Sequence, residues 1–346
     1  MRSQIVLRYL PFAVLLAVAV TDLLAGPDLG FLPLLTLGPT FASVYGSVRR
    51  TAFVGAAALA LCVPLAYVQD VLLTRQNNIT IATVAGVTAA SMIVSNLRLR
   101  RERELANVRL VAEAAQRVLL RPVPRRAADL RIALSYTSAA AEAQIGGDLY
   151  EVVTTPHGVR LLIGDVQGKG LTAVETAAWV LGAFREAAYD MTELTEVGER
   201  LEASLSRHLS GETFVTAILA EVHEDEISLL NFGHPAPLLL RNGGKIFTVE
   251  PPEESLPLGL GSLAADRPKP HRVSFGEGDQ ILLFTDGVIE ARDAGGAFYP
   301  LTDRTWLLDA GDPQEALDAL RADLIEHVGG PLPDDAAMLL LRRYPS

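Results

Sequence analysis

The sequence predicts an α+β protein: a layered domain of antiparallel sheets with segregated helices, preceded by an all-α membrane part of four helices. Three observations predict this. Four apolar segments fill the first 97 residues, strand-like runs after residue 125 follow one another as hairpins without regular βαβ alternation, and charge divides along the same line. Residues 1–123 hold 12 Lys/Arg against 6 Asp/Glu, whereas the whole chain carries −11, so the remainder is strongly acidic. An acidic second half argues against nucleic-acid binding there. The mean hydropathy of +0.27 is high for a wholly soluble chain. Cys62 is the only cysteine, which excludes an intramolecular disulfide.

The apolar segments are Ile5–Ala25, Leu29–Val48, Thr51–Gln69 and Asn77–Leu97. The last three are uncharged over roughly 20 positions, the length of a bilayer-spanning helix. Arg2 and Arg8 precede the first, Arg49 and Arg50 separate the second and third, and Arg98, Arg100, Arg101 and Arg103 follow the fourth; Asp28, and Asp70 with Arg75, fill the other two connections. The positive-inside rule then puts both termini and the second half in the cytoplasm, on the inner membrane of the cell. A cleaved signal peptide ending near Ala25-Gly26 explains the first segment but not the next three. The spans hold no Lys, Glu or His and, beyond Arg8, no Arg, which favours an anchor or sensor over a transporter.

Residues 98–124 form a connecting helix. Leu105, Val108, Ala112, Ala115 and Leu119 follow 3-4-3-4 spacing, a seam that suits a dimerising coiled coil and equally a helix packed on its own domain. Pro122 and Pro124 end it. From 125 to 346 the expected strands are Leu130–Tyr136, Asp148–Thr154, Val159–Asp165, Phe214–Val222, Ile227–Phe232, Pro237–Arg241, Lys245–Val249, Arg272–Phe275, Gln280–Thr285 and Ala336–Arg342. Helices are expected at Leu171–Tyr189, Glu193–Leu209, Leu301–Asp309 and Pro313–Val328, and Asn242-Gly243-Gly244 marks a hairpin turn.

Four strand ends carry an aspartate beside glycine or a second aspartate: Gly146-Gly147-Asp148, Gly164-Asp165, Thr285-Asp286-Gly287 and Pro333-Asp334-Asp335. One such aspartate is ordinarily a turn residue or cap. Four beside apolar strands are different, because carboxylates brought together repel and take up protons unless a cation joins them. Oxygen donors suit Mg²⁺ or Mn²⁺, and two such ions can activate water against a phosphoryl group. The residues by themselves therefore point to a binuclear metal hydrolase of phosphate esters. No His/Asp arrangement surrounds Ser204 or Ser206, so a serine hydrolase is not supported. The Gly-Gly-Asp run also occurs in diguanylate cyclases, but Leu149 stands where those need an acid.

In order along the chain come Gly146-Gly147-Asp148-Leu149-Tyr150, Gly164-Asp165-Val166-Gln167-Gly168-Lys169-Gly170, Asn231-Phe232-Gly233-His234-Pro235, Pro257-Leu258-Gly259, Leu283-Phe284-Thr285-Asp286-Gly287-Val288-Ile289-Glu290-Ala291 and Asp334-Asp335. Over residues 125–346 this set resembles the SpoIIE/RsbU-type branch of the PP2C-like (PPM) serine/threonine phosphatases. The resemblance implies a PP2C-like α-β-β-α sandwich holding two or more Mn²⁺ or Mg²⁺ ions. It implies that Asp148, Asp165 and Asp286 are catalytic metal ligands, with the Val166 carbonyl a further one and the last supplied by Asp334 or Asp335, of which Asp334 is favoured. It implies direct hydrolysis of phosphoserine or phosphothreonine without a phospho-enzyme, on a phosphorylated anti-sigma-factor antagonist; the apolar segments and the helical seam add a membrane anchor and a homodimer to this expectation. Lys169 and His234 are candidate substrate-binding residues; a solvated loop cation and a structural turn histidine describe them as well. Glu151 stands where the family commonly has Asp, which suggests a weaker or shifted metal site. The alternative to an enzyme is a catalytically weak scaffold or sensor that binds a regulatory partner without turnover.

Overall fold

Two compact units make up the chain, Met1–Asn107 and Val108–Ser346. The structure is a computed structural model and describes residues 2–25, 31–68, 72, 74–138, 146–208, 213–263 and 267–344. Asp28 and Asp70, expected in the outer connections, lie outside the described residues.

In the first unit, α1 (Arg2–Ala25) is followed by a 3₁₀ turn, Leu32–Thr36, then α2 (Leu37–Tyr45), α3 (Val48–Val68) and α4 (Arg75–Leu119), which continues into the second unit. Leu15, Val18, Leu35, Val54, Ala58, Cys62 and Val84 form its core. Gly55 lets α3 approach α4, because a Cβ there would overlap Thr88. Arg98 donates to the carbonyls of Val44 and Gly46, meeting the orphan acceptors where α2 ends. Leu16, Leu24, Phe53, Tyr67 and Ile93 point outward, so the surface is greasier than a soluble bundle's.

Among the described residues, two helices, Val48–Val68 and Arg75–Gln116, are long and apolar enough to cross a membrane; Leu32–Tyr45 and the Tyr9–Ala25 part of α1 are shorter apolar stretches. The second expected span is a 3₁₀ turn plus a nine-residue helix. Its 14 residues reach about 21 Å at α-helical rise, short of a 30 Å hydrocarbon core. Arg49 and Arg50 lie inside the first turn of α3 rather than in a connection, because Ser47 starts that helix and accepts from the Arg50 N–H.

The second unit continues with β1 (Arg126–Ala127), β2 (Leu130–Thr137), β3 (Asp148–Thr155), β4 (Gly158–Val166), α5 (Leu171–Asp190), α6 (Leu194–His208), β5 (Val215–His223), β6 (Glu226–Phe232), β7 (Leu238–Leu240), β8 (Ile246–Thr248), β9 (His271–Ser274), β10 (Gln280–Phe284), α7 (Asp286–Ile289), a 3₁₀ stretch Leu301–Asp309, α8 (Pro313–Val328) and β11 (Ala336–Arg343). All strand pairs are antiparallel, in sheets ordered β1-β2-β11-β10-β7-β8 and β3-β4-β5-β6-β9. Ile132, Val152, Leu161, Ile163, Ile218, Leu283 and Leu339 fill the space between the sheets. Phe184, Leu201 and Leu205 of α5 and α6 cover one outer face, and Leu317, Leu320 and Leu324 of α8 cover the other. The result is the expected α-β-β-α order of layers.

Local chemistry explains the clearest boundaries. Asp312 accepts from the Gln314 and Glu315 N–H groups with Pro313 in the first turn, and Gly329 closes α8 at φ 71°. Two boundaries differ from expectation. Strand β10 stops at Phe284 and Asp286 opens the one-turn helix α7, so this aspartate lies on a helix start rather than a strand end. The Leu301–Asp309 helix is 3₁₀.

Candidate metal-dependent active site

Asp148 and Asp165 are direct partners across β3 and β4. Like charges so placed repel at the Cβ separations of an antiparallel ladder. Gly147 allows the approach: a Cβ there would lie 2.6 Å from Asp165 Oδ1 and would overlap the Val166 carbonyl, while the Val166 N–H donates to the Gly147 carbonyl at 3.1 Å. Gly168 and Gly170, at φ 94° and 87°, turn the chain from β4 into α5.

Thr285 ties this pair to the other sheet. Its buried hydroxyl donates to Asp148 Oδ2 at 2.8 Å and accepts from the Ala337 N–H at 2.9 Å. Asp286 follows it, and Asp334 and Asp335 precede β11, so all five aspartates meet at one end of the two sheets. Asp335 is buried; Tyr136 Oη donates to its Oδ2 at 2.5 Å and Ser138 Oγ to its Oδ1 at 3.4 Å. Asp334 keeps about half its side chain exposed and accepts from Lys169 Nζ at 2.7 Å.

The electrostatics are those of a site short of positive charge. Burial, then the charge of Asp165, pushes the Asp148 carboxyl well above the usual range. Burial, then the charges of Asp286 and Asp334, pushes Asp165 up to about 7. Burial and Glu290 raise Asp286, and Lys169 is the cation that partly offsets the shifts of Asp165 and Asp286. Burial, with the Asp335 charge, keeps the Tyr136 phenol protonated.

A cluster of oxygen donors that raise one another's pKa, set on backbone with no room for a Cβ, fits a hard divalent cation. The carboxylates are not drawn into a coordination sphere. Among the described residues no three His, Cys, Asp or Glu side chains are placed to hold a metal ion.

The remaining candidates separate clearly. His234 is buried, with Nε2 donating to the Phe284 carbonyl and Nδ1 accepting from Thr216 Oγ1, each at 3.1 Å, so neither ring nitrogen is left for a ligand. Burial lowers its pKa to about 4, and the ring is neutral at pH 7. Glu151 does not act as the expected variant of a metal ligand. It lies three residues beyond Asp148, on the opposite face of β3, where Arg185 of α5 pairs with it and also donates to the Leu119 carbonyl. Tyr136 and Thr285 were not singled out from sequence; Thr285 stands inside a quoted motif, and Tyr136 carried no local signal.

Of the α4 seam, Ala112 is buried against Val174, and Ala115 and Leu119 pack beside them. That is the packing on its own domain that the spacing equally allowed. Val108, Val111 and Val118 remain exposed.

A family model described as Stage II sporulation protein E (SpoIIE) matches residues 155–344, more than half of the chain. Phosphoserine phosphatase RsbU of Bacillus subtilis (strain 168) is 25% identical over 244 residues, covering 69% of this chain and 70% of that protein. The SiaA-PP2C domain of Pseudomonas aeruginosa superposes with a TM-score of 0.59 at 16% identity, covering 71% of this chain and 99% of that one. The RsbU and RsbW domains of Rv1364c from Mycobacterium tuberculosis give a TM-score of 0.52 at 24% identity over 63% of this chain and 61% of that one. At these identities the solved structures establish the fold, which is that of PP2C.

Proposed function

Because the chain belongs to the SpoIIE family and has a PP2C-like fold, we propose that residues 125–346 are a Mn²⁺- or Mg²⁺-dependent protein serine/threonine phosphatase. The observation that carries this reading is the facing pair Asp148 and Asp165, tied through Thr285 to the turn that bears Asp286. Asp148, Asp165, Asp286, Asp334 and the Val166 carbonyl would hold two or more ions; Asp335, engaged by Tyr136, braces them. Bound there, the cations would polarise a phosphoryl oxygen and lower the pKa of water, which suits attack on phosphoserine or phosphothreonine.

The chain's own residues supply position and charge. Thr285 orients Asp148 by its hydroxyl, and the neutral His234 clamps β5 to the end of β10. Lys169, on the exposed side of the site, holds Asp334 and offers its charge to an incoming phosphate. The substrate, as the family resemblance implies, is a phosphorylated anti-sigma-factor antagonist in a partner-switching pathway. The first unit anchors the protein in the inner membrane, with the phosphatase domain cytoplasmic; the outward apolar side chains of α1, α3 and α4 support a lipid environment. A homodimer through α4 would use exposed apolar positions of that helix, among them Leu105, Val108, Val111 and Val118.

The alternative is a catalytically weak scaffold or sensor that keeps this fold and binds a regulatory partner without turnover. Hydrolysis of p-nitrophenyl phosphate by the full chain separates the readings. Turnover dependent on added Mn²⁺, lost by at least a hundredfold in Asp165→Ala, supports the phosphatase; equal rates with and without Mn²⁺ and in both proteins support the scaffold.

A further inference from the structure

Near its C-terminal end, α4 places a polar side chain against the aspartate turns. Gln116 Nε2 donates to Tyr136 Oη at 2.9 Å and, at 3.4 Å, to the carbonyl of Gly146, two residues before Asp148. Tyr136 Oη in turn donates to Asp335 Oδ2, forming the chain Gln116–Tyr136–Asp335. Asp335 in turn is wedged between the other two turns. A Cβ on Gly146 would overlap its carboxylate, and a Cβ on Gly287, next to Asp286, would overlap its carbonyl. The neighbouring residues of α4 fix this stretch, with Ala112 buried on Val174 and Leu119 against the α5–α6 core.

We propose that Gln116 is a positioning residue for the aspartate site. Its amide fixes the Tyr136–Asp335 pair and the turn carrying Asp148 together, so that the metal-binding arrangement depends on where the last two turns of α4 lie. The inference rests on the phosphatase reading and adds to it a control point outside the motifs. A neutral donor is required: the Tyr136 proton is committed to Asp335, so the group at 116 must donate to the phenol oxygen. An ionised glutamate of the same shape cannot donate and adds a negative charge beside Asp335. Outer partners of metal ligands of this kind carry roughly 10- to 100-fold of metal affinity or activity.

The test uses the full chain with Gln116→Ala, Gln116→Glu, Tyr136→Phe and the double variant Gln116→Ala/Tyr136→Phe. Ala114→Ser, on the exposed side of the same helix, is the control. Mn²⁺ affinity is read by isothermal titration calorimetry, alongside Tm and kcat and KM for p-nitrophenyl phosphate. The expected result is Mn²⁺ binding weakened about tenfold or more in both Gln116 variants, with kcat lowered, KM little changed and Tm close to wild type. The double variant should lose less than the sum of the two single variants, because Gln116 and Tyr136 share one hydrogen bond while the bond to Gly146 belongs to Gln116 alone. Wild-type Mn²⁺ affinity in both Gln116 variants, or additive losses in the double variant, would overturn the inference while leaving the phosphatase reading intact. Absence of Mn²⁺ binding by the unaltered protein would overturn both.

Discussion

His234 shows at the scale of a single residue why a motif position need not be a reacting one. Both ring nitrogens are engaged inside the domain, and burial holds the pKa near 4 against an ordinary 6.5. The unfolded chain therefore binds a proton first as pH falls. The contribution of the neutral ring is complete above about pH 6.5 and is lost between there and about pH 4, an interval worth roughly 3 kcal/mol. Urea unfolding of wild type and His234→Gln should show a pH-dependent gap in midpoint that narrows from pH 7 to pH 4.5; a constant gap would contradict the buried neutral ring. At this scale the aspartates were legible because each stands beside an apolar strand and next to a glycine or a second aspartate. Tyr136, Thr285 and Gln116 were less so. Their roles come from partners 20 to 199 residues away, a relation that no window of sequence displays.

Among elements, hairpins were the most legible because alternation and turn chemistry act within a few residues. Asn242-Gly243-Gly244 adopts the positive φ its glycines permit, at 125° and 83°, and the strands on either side pair as expected. What escaped the sequence depends on packing between elements. The two-residue β1 exists because it pairs with β2, and α7 begins where Thr285 leaves β10 to reach Asp148. Arg160 belongs to the same class. It is fully buried in β4, pairs with Glu221 of β5, and donates to the carbonyls of Ala188, Met191 and Thr192 where α5 ends. Arg160→Ala removes those donors and leaves Glu221 without its partner. It should cost about 3–5 kcal/mol, read as a lower urea midpoint, with Arg160→Lys unable to restore it fully. A change below about 0.5 kcal/mol would show that α5 is held by its apolar face alone.

For the whole molecule, the contrast between an apolar helical part and an acidic layered part was legible from composition, and the antiparallel sheets from the hairpin succession, whereas the α-β-β-α order of layers came with the family resemblance. The 3₁₀ turn within Leu32–Tyr45 was not legible, because hydropathy counts apolar residues and not the helix they complete. The central claim is that five aspartates from separate parts of one domain form a single cation-holding hydrolytic site. Anomalous diffraction from crystals of the full chain grown with Mn²⁺ tests it most directly. The account predicts anomalous peaks bounded by Asp148, Asp165 and Asp286, absent in Asp165→Ala. Peaks elsewhere, or none at a Mn²⁺ concentration that supports turnover, would contradict it.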